Sequence, residues 1–273
     1  MTWVPALPPG TCQVWWVRPD QVRPEHDVLL GPADLDRRSR LHLPADRQRL
    51  TAAAAVSRLV LGAAAGRPPD RLEFDRTCPR CGASHGKPRL TGDSGLQFSV
   101  SHSGDSVVVA VARGVPVGVD VEEVGTPDPA ELADTAELVL APSERRRVAR
   151  RPASRRAQAF TTYWTRKEAV LKATGQGLTA SPADLVVTPP SARPRVLRWP
   201  SAPVPLEQLA LHRLHPPRGL AATLAVLAPG RVEVVEGDGT ALLRLLPDRR
   251  VGQLPAQRSR RLSAATTRSQ RYP

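Results

Sequence analysis

Aromatic residues make up only 4% of the 273 residues, and there is a single methionine. So few flat side chains leave little to stack on unpaired bases, which argues against a single-stranded nucleic-acid binder. Three cysteines do not build a disulfide framework, so a reducing cytoplasm is the expected location. Long apolar runs are missing too. The longest, residues 51–66, is interrupted by Arg58 and is too short to span a bilayer. Residues 1–17 lack a basic stretch followed by an apolar one, so neither secretion nor membrane insertion is expected. Lysine is the rarest charged residue: of 39 basic residues only Lys87, Lys167 and Lys172 are lysines. In a chain that uses arginine almost everywhere, a retained lysine suggests a place that wants a compact ammonium rather than a planar fork.

What the chain has is arginine, proline and charge. Hydrophobic residues reach 41%, enough for one large core or two modest ones, and the formal net charge is +13. That charge is unevenly spread. Residues 247–273 hold seven arginines against Asp248, and residues 145–156 hold another seven. The remainder is nearly balanced, so one basic patch facing an acidic partner suffices and a nucleic-acid surface is not required. The tail at 247–273 is expected to be disordered.

Hydrophobic periodicity and turn residues predict a strand at 12–17, helices at 34–43 and 45–65, and a short strand at 72–75. A hairpin follows at 96–101 and 106–112 around Gly104-Asp105, then a strand at 115–124. Helices at 130–140, 143–151 and 153–174 come next, the last stopped by Gly175 and Gly177. Weaker strands are expected at 185–187, 212–214, 221–227 and 232–235. Helix and strand blocks thus occur twice, which predicts an α+β protein of two similar halves meeting near residue 115. The boundaries expected are 1–115, 116–246 and the 247–273 tail.

Three segments carry candidate chemistry. In Gly118-Val119-Asp120-Val121-Glu122, strand alternation places both acids on one face and both valines on the other. In Trp164-Thr165-Arg166-Lys167-Glu168-Ala169-Val170-Leu171-Lys172, helical spacing brings Glu168 and Lys172 onto one face. Phe160, Tyr163 and Trp164 suggest that this helix is partly buried, and charges there need partners. Three carboxylates beside a lysine suit a hard divalent cation shared with a phosphate-bearing substrate. The third segment, Phe98-Ser99-Val100-Ser101-His102-Ser103, ends a strand with hydroxyl and imidazole groups able to cradle phosphate. A Ser–His–Asp hydrolase does not fit, because Ser101 and His102 point to opposite faces and no nucleophile elbow is present. No P-loop is present either.

Together these segments, with Gly86-Lys87-Pro88 and the basic run Asp46-Arg47-Gln48-Arg49 downstream of Arg37, resemble the 4′-phosphopantetheinyl transferases of the Sfp type over about residues 30–230. The resemblance implies a pseudo-dimer of two α+β halves with the active site in the cleft between them. It implies a Mg²⁺-dependent holo-[carrier protein] synthase that moves 4′-phosphopantetheine from coenzyme A to a serine of an acyl or peptidyl carrier protein, releasing adenosine 3′,5′-bisphosphate. Carried over by position, Asp120, Glu122 and Glu168 would hold Mg²⁺. Glu168 would also act as general base, and Lys172 would bind phosphate. Ser101 and His102 would contact phosphates, with Lys87, Arg37 and Arg49 at the 3′-phosphate and adenine end. Apo-carriers and coenzyme A are then the partners of a monomeric enzyme, without nucleic acid or membrane, and the 145–156 arginines are a candidate docking surface for acidic carriers. Lys167 is left without a role and is expected to face solvent. Cys78-Pro79-Arg80-Cys81 with His85 departs from the pattern as an insertion-like knuckle. It is read as a structural turn, with no zinc expected, since only the distant Cys12 remains as a fourth ligand.

Overall fold

The computed structural model describes residues 4–92, 95–128, 131–177 and 180–244. The 247–273 tail, and with it the expectation of disorder, lies outside the described residues. Strand β1 (Thr11–Val17) is followed by helices α1 (Pro32–Ser39) and α2 (Pro44–Ala65), a small pair β2 (Phe74–Asp75) and β3 (Arg89–Leu90), and the hairpin β4 (Leu96–Ser103) and β5 (Ser106–Arg113). The second half runs β6 (Val117–Glu123), α3 (Leu132–Val139), α4 (Pro142–Ala149), α5 (Ala153–Thr174), the pair β7 (Val186–Val187) and β8 (Val196–Arg198), then β9 (Leu209–Arg213) and β10 (Leu220–Leu227). Strand β11 (Glu233–Asp238) and the short α6 (Gly239–Leu243) close the described chain. No helix among the described residues is long and apolar enough to cross a membrane.

The two halves share one topology. In each, a strand leads to a 22-residue helix, and an antiparallel pair follows whose second strand returns beside the first. The resulting orders are β1-β5-β4 and β6-β10-β9. Both helices stop at a glycine with positive φ, Gly66 at 65° and Gly175 at 72°, as left-handed C-terminal caps require. Pro44, which falls between the helices expected at 34–43 and 45–65, opens α2 at its first turn, where its missing N–H costs nothing.

Strand alternation sorts the core into layers. Trp15, Val17, Phe98, Val107 and Val109 pack against Val56, Val60 and Leu61 of α2. On the other face of the same sheet, Cys12, Val14, Val108 and Ala110 meet Val117, Val119, Val121 and Leu224 of the second sheet. Leu209, Leu211 and Ala225 then meet Phe160, Tyr163 and Leu171 of α5. The order is α2, sheet, sheet, α5. Each fully buried Val or Leu contributes about 1.5–3 kcal/mol relative to exposure, so the layer order follows from where the valines point. Cys12 lies in the middle layer, where burial pushes its thiol up to about 12.

One departure from the expected boundaries stands out. The chain expected to stay in the C-terminal half through residue 246 crosses back at β11, which pairs in parallel with β1 of the N-terminal sheet. The reason is edge satisfaction: β1 has a free side opposite β5, and β11 supplies its hydrogen bonds.

Helix α5 approaches β6 so closely that Gly118 is obligatory. A Cβ on Gly118 would overlap the backbone of Ala169 and Ala173. Because backbone cannot rotate away, Gly118→Ala is expected to destabilise the protein by about 1–3 kcal/mol in urea unfolding, and to lower activity by shifting Asp120 relative to α5. Unchanged stability would mean that the helix does not sit on the strand this closely.

Candidate active site

The halves meet along β4 and β6, and serine hydroxyls make the junction. Ser99, Ser101 and Ser103 share one face of β4. Val119 N–H donates to Ser99 Oγ at 3.0 Å and Glu123 N–H to Ser103 Oγ at 3.0 Å, so these hydroxyls cover the open edge of β6. Ser101 Oγ donates to Asp120 Oδ1 at 2.9 Å and Ser103 Oγ to Glu122 Oε2 at 2.9 Å. The alternating serines are therefore a seam between the halves as well as candidate phosphate contacts.

Asp120 and Glu122 project from β6 toward α5, as alternation requires. Lys172 Nζ donates to Asp120 Oδ1 at 2.6 Å and to Ser101 Oγ at 3.0 Å. Trp164 Nε1 points at Glu122 Oε1 across 3.4 Å. Asp120 is only 2% exposed, and its second oxygen Oδ2 has no hydrogen-bond partner. Glu168 Oε1 is likewise buried and unpartnered. Burial raises the Asp120 carboxyl above its usual range, with Lys172 and Ser101 opposing. Burial and then the Asp120 charge raise Glu122. Glu168 is pushed up to about 7 by burial first and the Asp120 charge second, with Lys172 opposing. Three acids each strained toward neutrality, with two orphan oxygens, form a site short of positive charge.

At the rim, Arg49 Nε donates to Gly104 O at 2.7 Å and Nη1 to Asp46 Oδ1 at 2.6 Å, tying α2 to the β4–β5 turn. His102 is exposed beside it, and its pKa is lowered by partial loss of solvent and then by the nearby Arg49 and Lys172 charges. Ser101, His102, Arg49, Asp120, Glu122, Glu168 and Lys172 thus gather at one junction. Two other candidates stand apart from it. Arg37 is exposed on α1 and its charge is felt by Arg76. Lys87 Nζ donates to Val117 O at 2.8 Å and Ala173 O at 3.3 Å, and burial lowers its pKa to about 8. Its ammonium bridges a loop of the first half to β6 and α5 of the second.

Lys167, expected to face solvent, is wholly buried: Nζ lies 2.6 Å from Glu144 Oε2 and donates to Val139 O and Pro182 O, both at 2.9 Å. Arg166 is buried as well and donates to Thr188 O at 2.6 Å, Pro189 O at 2.9 Å and Ala192 O at 3.1 Å. Successive helical residues are turned by 100°, so Arg166, Lys167 and Glu168 enter three different environments, and α5 is enclosed on nearly every side. Ser103 and Trp164, which contact Glu122, stood inside the quoted motifs but were given no role there.

Residues 116–225 match the family model of the 4′-phosphopantetheinyl transferase superfamily. The 4′-phosphopantetheinyl transferase HetI of Nostoc sp. is 32% identical over 188 residues, 65% of this chain and 76% of that protein. The chain belongs to this superfamily. The 4′-phosphopantetheinyl transferase psf-1 of Bacillus pumilus is 39% identical over 94 residues, 34% of this chain and 38% of its own length. Among solved structures, the ACPS–CoA complex of Chronobacterium ammoniagenes is similar at 27% identity, covering 43% of this chain and 98% of that one, with a TM-score of 0.32. As a member of the superfamily the protein is a phosphopantetheinyl transferase. Asp120, Glu122, Glu168 and Lys172 fall inside the matched span; Arg37, Arg49, Lys87, Ser101 and His102 precede it.

Proposed function

We propose that the junction of β4, β6 and α5 is the active site at which 4′-phosphopantetheine passes from coenzyme A to a carrier-protein serine. The observation that carries this reading is the pair of orphan oxygens, Asp120 Oδ2 and Glu168 Oε1, beside Glu122. Buried carboxylate oxygens without donors fit a hard, oxygen-seeking cation, and Asp120, Glu122 and Glu168 are the residues that would hold Mg²⁺. When bound, that ion would neutralise charge on the pyrophosphate oxygens.

The chain's own residues supply the rest. In the transfer, the carrier serine Oγ forms a bond to the phosphorus that bears pantetheine, and the bond from that phosphorus to the bridging oxygen breaks. The bridging electrons leave with adenosine 3′,5′-bisphosphate. Glu168, which burial and the Asp120 charge make a stronger base in the metal-free protein, takes the serine proton, directly or through water. Lys172 opposes the effect of burial on Asp120 through their 2.6 Å ion pair and presents its remaining N–H to a phosphate oxygen. Ser101, His102 and Arg49 line the approach for further phosphate contacts, with Lys87 and Arg37 further out. Arg146, Arg147, Arg150, Arg155 and Arg156 are exposed around α4 and the start of α5, a basic face that suits an acidic carrier. Three free cysteines suit a reducing cytoplasm, and one chain contributes every site residue, so a monomer suffices.

Incubation with coenzyme A, Mg²⁺ and a panel of apo-carriers, read by intact mass, tests this directly. A phosphopantetheine mass gain on at least one carrier is expected. No gain on any carrier by a folded protein sinks the reading.

The raised acids also predict a pH signature. A carboxyl whose folded pKa lies above its unfolded value binds its proton more tightly when folded. For Glu168 that stabilisation is whole below the ordinary value of 4.5 and is lost as pH rises through about 7. Metal-free protein should therefore lose stability over this window, and Mg²⁺ should raise Tm more at pH ~8 than at pH ~5.5. An equal Mg²⁺ effect at both pH values would remove the three acids as its site.

A further inference from the structure

The segment between β2 and β3 takes no part in the carboxylate site, yet it gathers three soft ligands. The ligand atoms of Cys78, Cys81 and His85 all lie within 4.8 Å of one another, and among the described residues no other three Cys, His, Asp or Glu side chains meet that spacing. The Asp120, Glu122 and Glu168 trio is looser. Cys81 Sγ and His85 Nε2 are 3.0 Å apart.

The backbone builds this cluster. Cys78 N–H donates to Ala83 O at 2.8 Å, Gly82 N–H to Cys78 O at 2.9 Å and His85 N–H to Ala83 O at 3.0 Å. Gly82 takes a φ of 74°, the left-handed conformation that lets the chain reverse directly after Cys81. Backbone N–H groups of Arg80 and Cys81 are directed at the Cys78 sulfur. At the base, Gly86 N–H donates to Arg76 O at 2.7 Å, and a Cβ on Gly86 would come within 2.7 Å of Thr77 O. The loop is thus turned and closed so that both sulfurs and the imidazole face one point.

The same loop has no core to hold it. Residues 79–85 are exposed and β2 and β3 pair over two residues each, too little for a hairpin to be stable alone. Cys12 is buried between the sheets and cannot contribute. A disulfide between Cys78 and Cys81 would leave the placement of His85 against Cys81 without purpose.

We propose that Cys78, Cys81 and His85 bind one zinc ion, with water in the fourth position. Two thiolates and an imidazole match the ligand preference and tetrahedral geometry of Zn²⁺, and binding would supply the cross-link that the loop lacks. On this proposal the knuckle is a metal site rather than a plain turn. The bound ion would also steady the segment that runs on to Lys87, whose ammonium reaches the second half. The site is separate from the carboxylates and stands independently of the transfer reaction.

The test is metal content and spectroscopy on the full chain, purified without a metal-binding tag. About one zinc per chain is expected, falling to background in Cys78→Ser/Cys81→Ser. Metal-free wild type titrated with Co²⁺ should develop thiolate-to-cobalt charge-transfer absorption and the strong visible bands of a tetrahedral site. His85→Ala should shift those bands. The Co²⁺ spectrum of the wild type decides the matter even where a variant fails to fold. A reduced wild-type chain that takes up neither zinc nor Co²⁺ overturns the proposal, as does full zinc retention by the double serine variant.

Discussion

Glu168→Gln is expected to lower phosphopantetheine transfer by about 10²–10⁴-fold while leaving Tm unchanged or raised. The amide keeps the shape of the side chain but cannot take the serine proton. It also removes one of three mutually repelling acids, and the relief should appear as stability. Glu168 Oε1 is buried without a donor and its carboxyl is pushed up to about 7, so ionising it in the metal-free protein works against folding. The Mg²⁺-induced rise in Tm should shrink in the same variant. Single-turnover transfer followed by intact mass, with thermal unfolding alongside, separates the two effects. Turnover close to wild type would remove Glu168 from the reaction, and a large fall in Tm would give it a structural role instead.

Lys167→Met should act in the opposite sense, costing about 3–5 kcal/mol of stability with little change in turnover per folded molecule. Lys167 sits one residue before Glu168 but on a different side of α5. Its ammonium neutralises Glu144, whose carboxylate also accepts from Ala141 N–H at 2.9 Å and Val187 N–H at 2.8 Å. That carboxylate ties α4 and β7 to α5 and cannot swing out to solvent when its cation is gone. Adding Glu144→Gln should recover part of the loss, because the uncompensated charge is then removed. Urea unfolding of both singles and the double reads the coupling. A loss under about 1 kcal/mol for Lys167→Met would mean that the pair is solvated.

Neighbouring residues on α5 show how much of the site was legible in sequence. Glu168 and Lys172 were placed together by helical spacing, and Asp120 and Glu122 by strand alternation. Both periodicities are properties of the local backbone, so they survive whatever the rest of the chain does. Lys167 was misread for a related reason. A helix with charged residues on two faces ordinarily shows one of them to water, and nothing local reveals that α3, α4 and β7 close over the second. Lys87 was singled out as a lysine with a reason and expected at the 3′-phosphate and adenine end, whereas its ammonium donates to carbonyls at residues 117 and 173, far away in the chain.

The knuckle follows the same division. Its C-x-x-C spacing was visible at once, but His85 became a partner of Cys81 only when Gly82 and Gly86 turned and closed the loop. The return of β11 to β1 had no sequence signal beyond a weak strand, since an edge is filled by whichever segment tertiary closure brings to it.

By itself, then, the sequence determined which residues share a face, where both 22-residue helices stop, and the motifs that point to phosphopantetheine transfer. Tertiary structure alone decided which face meets which. It buried Lys167 against Glu144, joined the halves through Ser99, Ser101 and Ser103, and left Asp120 and Glu168 oxygens without donors. The reason is physical: side-chain direction follows from backbone periods of 2 and 3.6, whereas burial and charge pairing depend on elements distant in the chain.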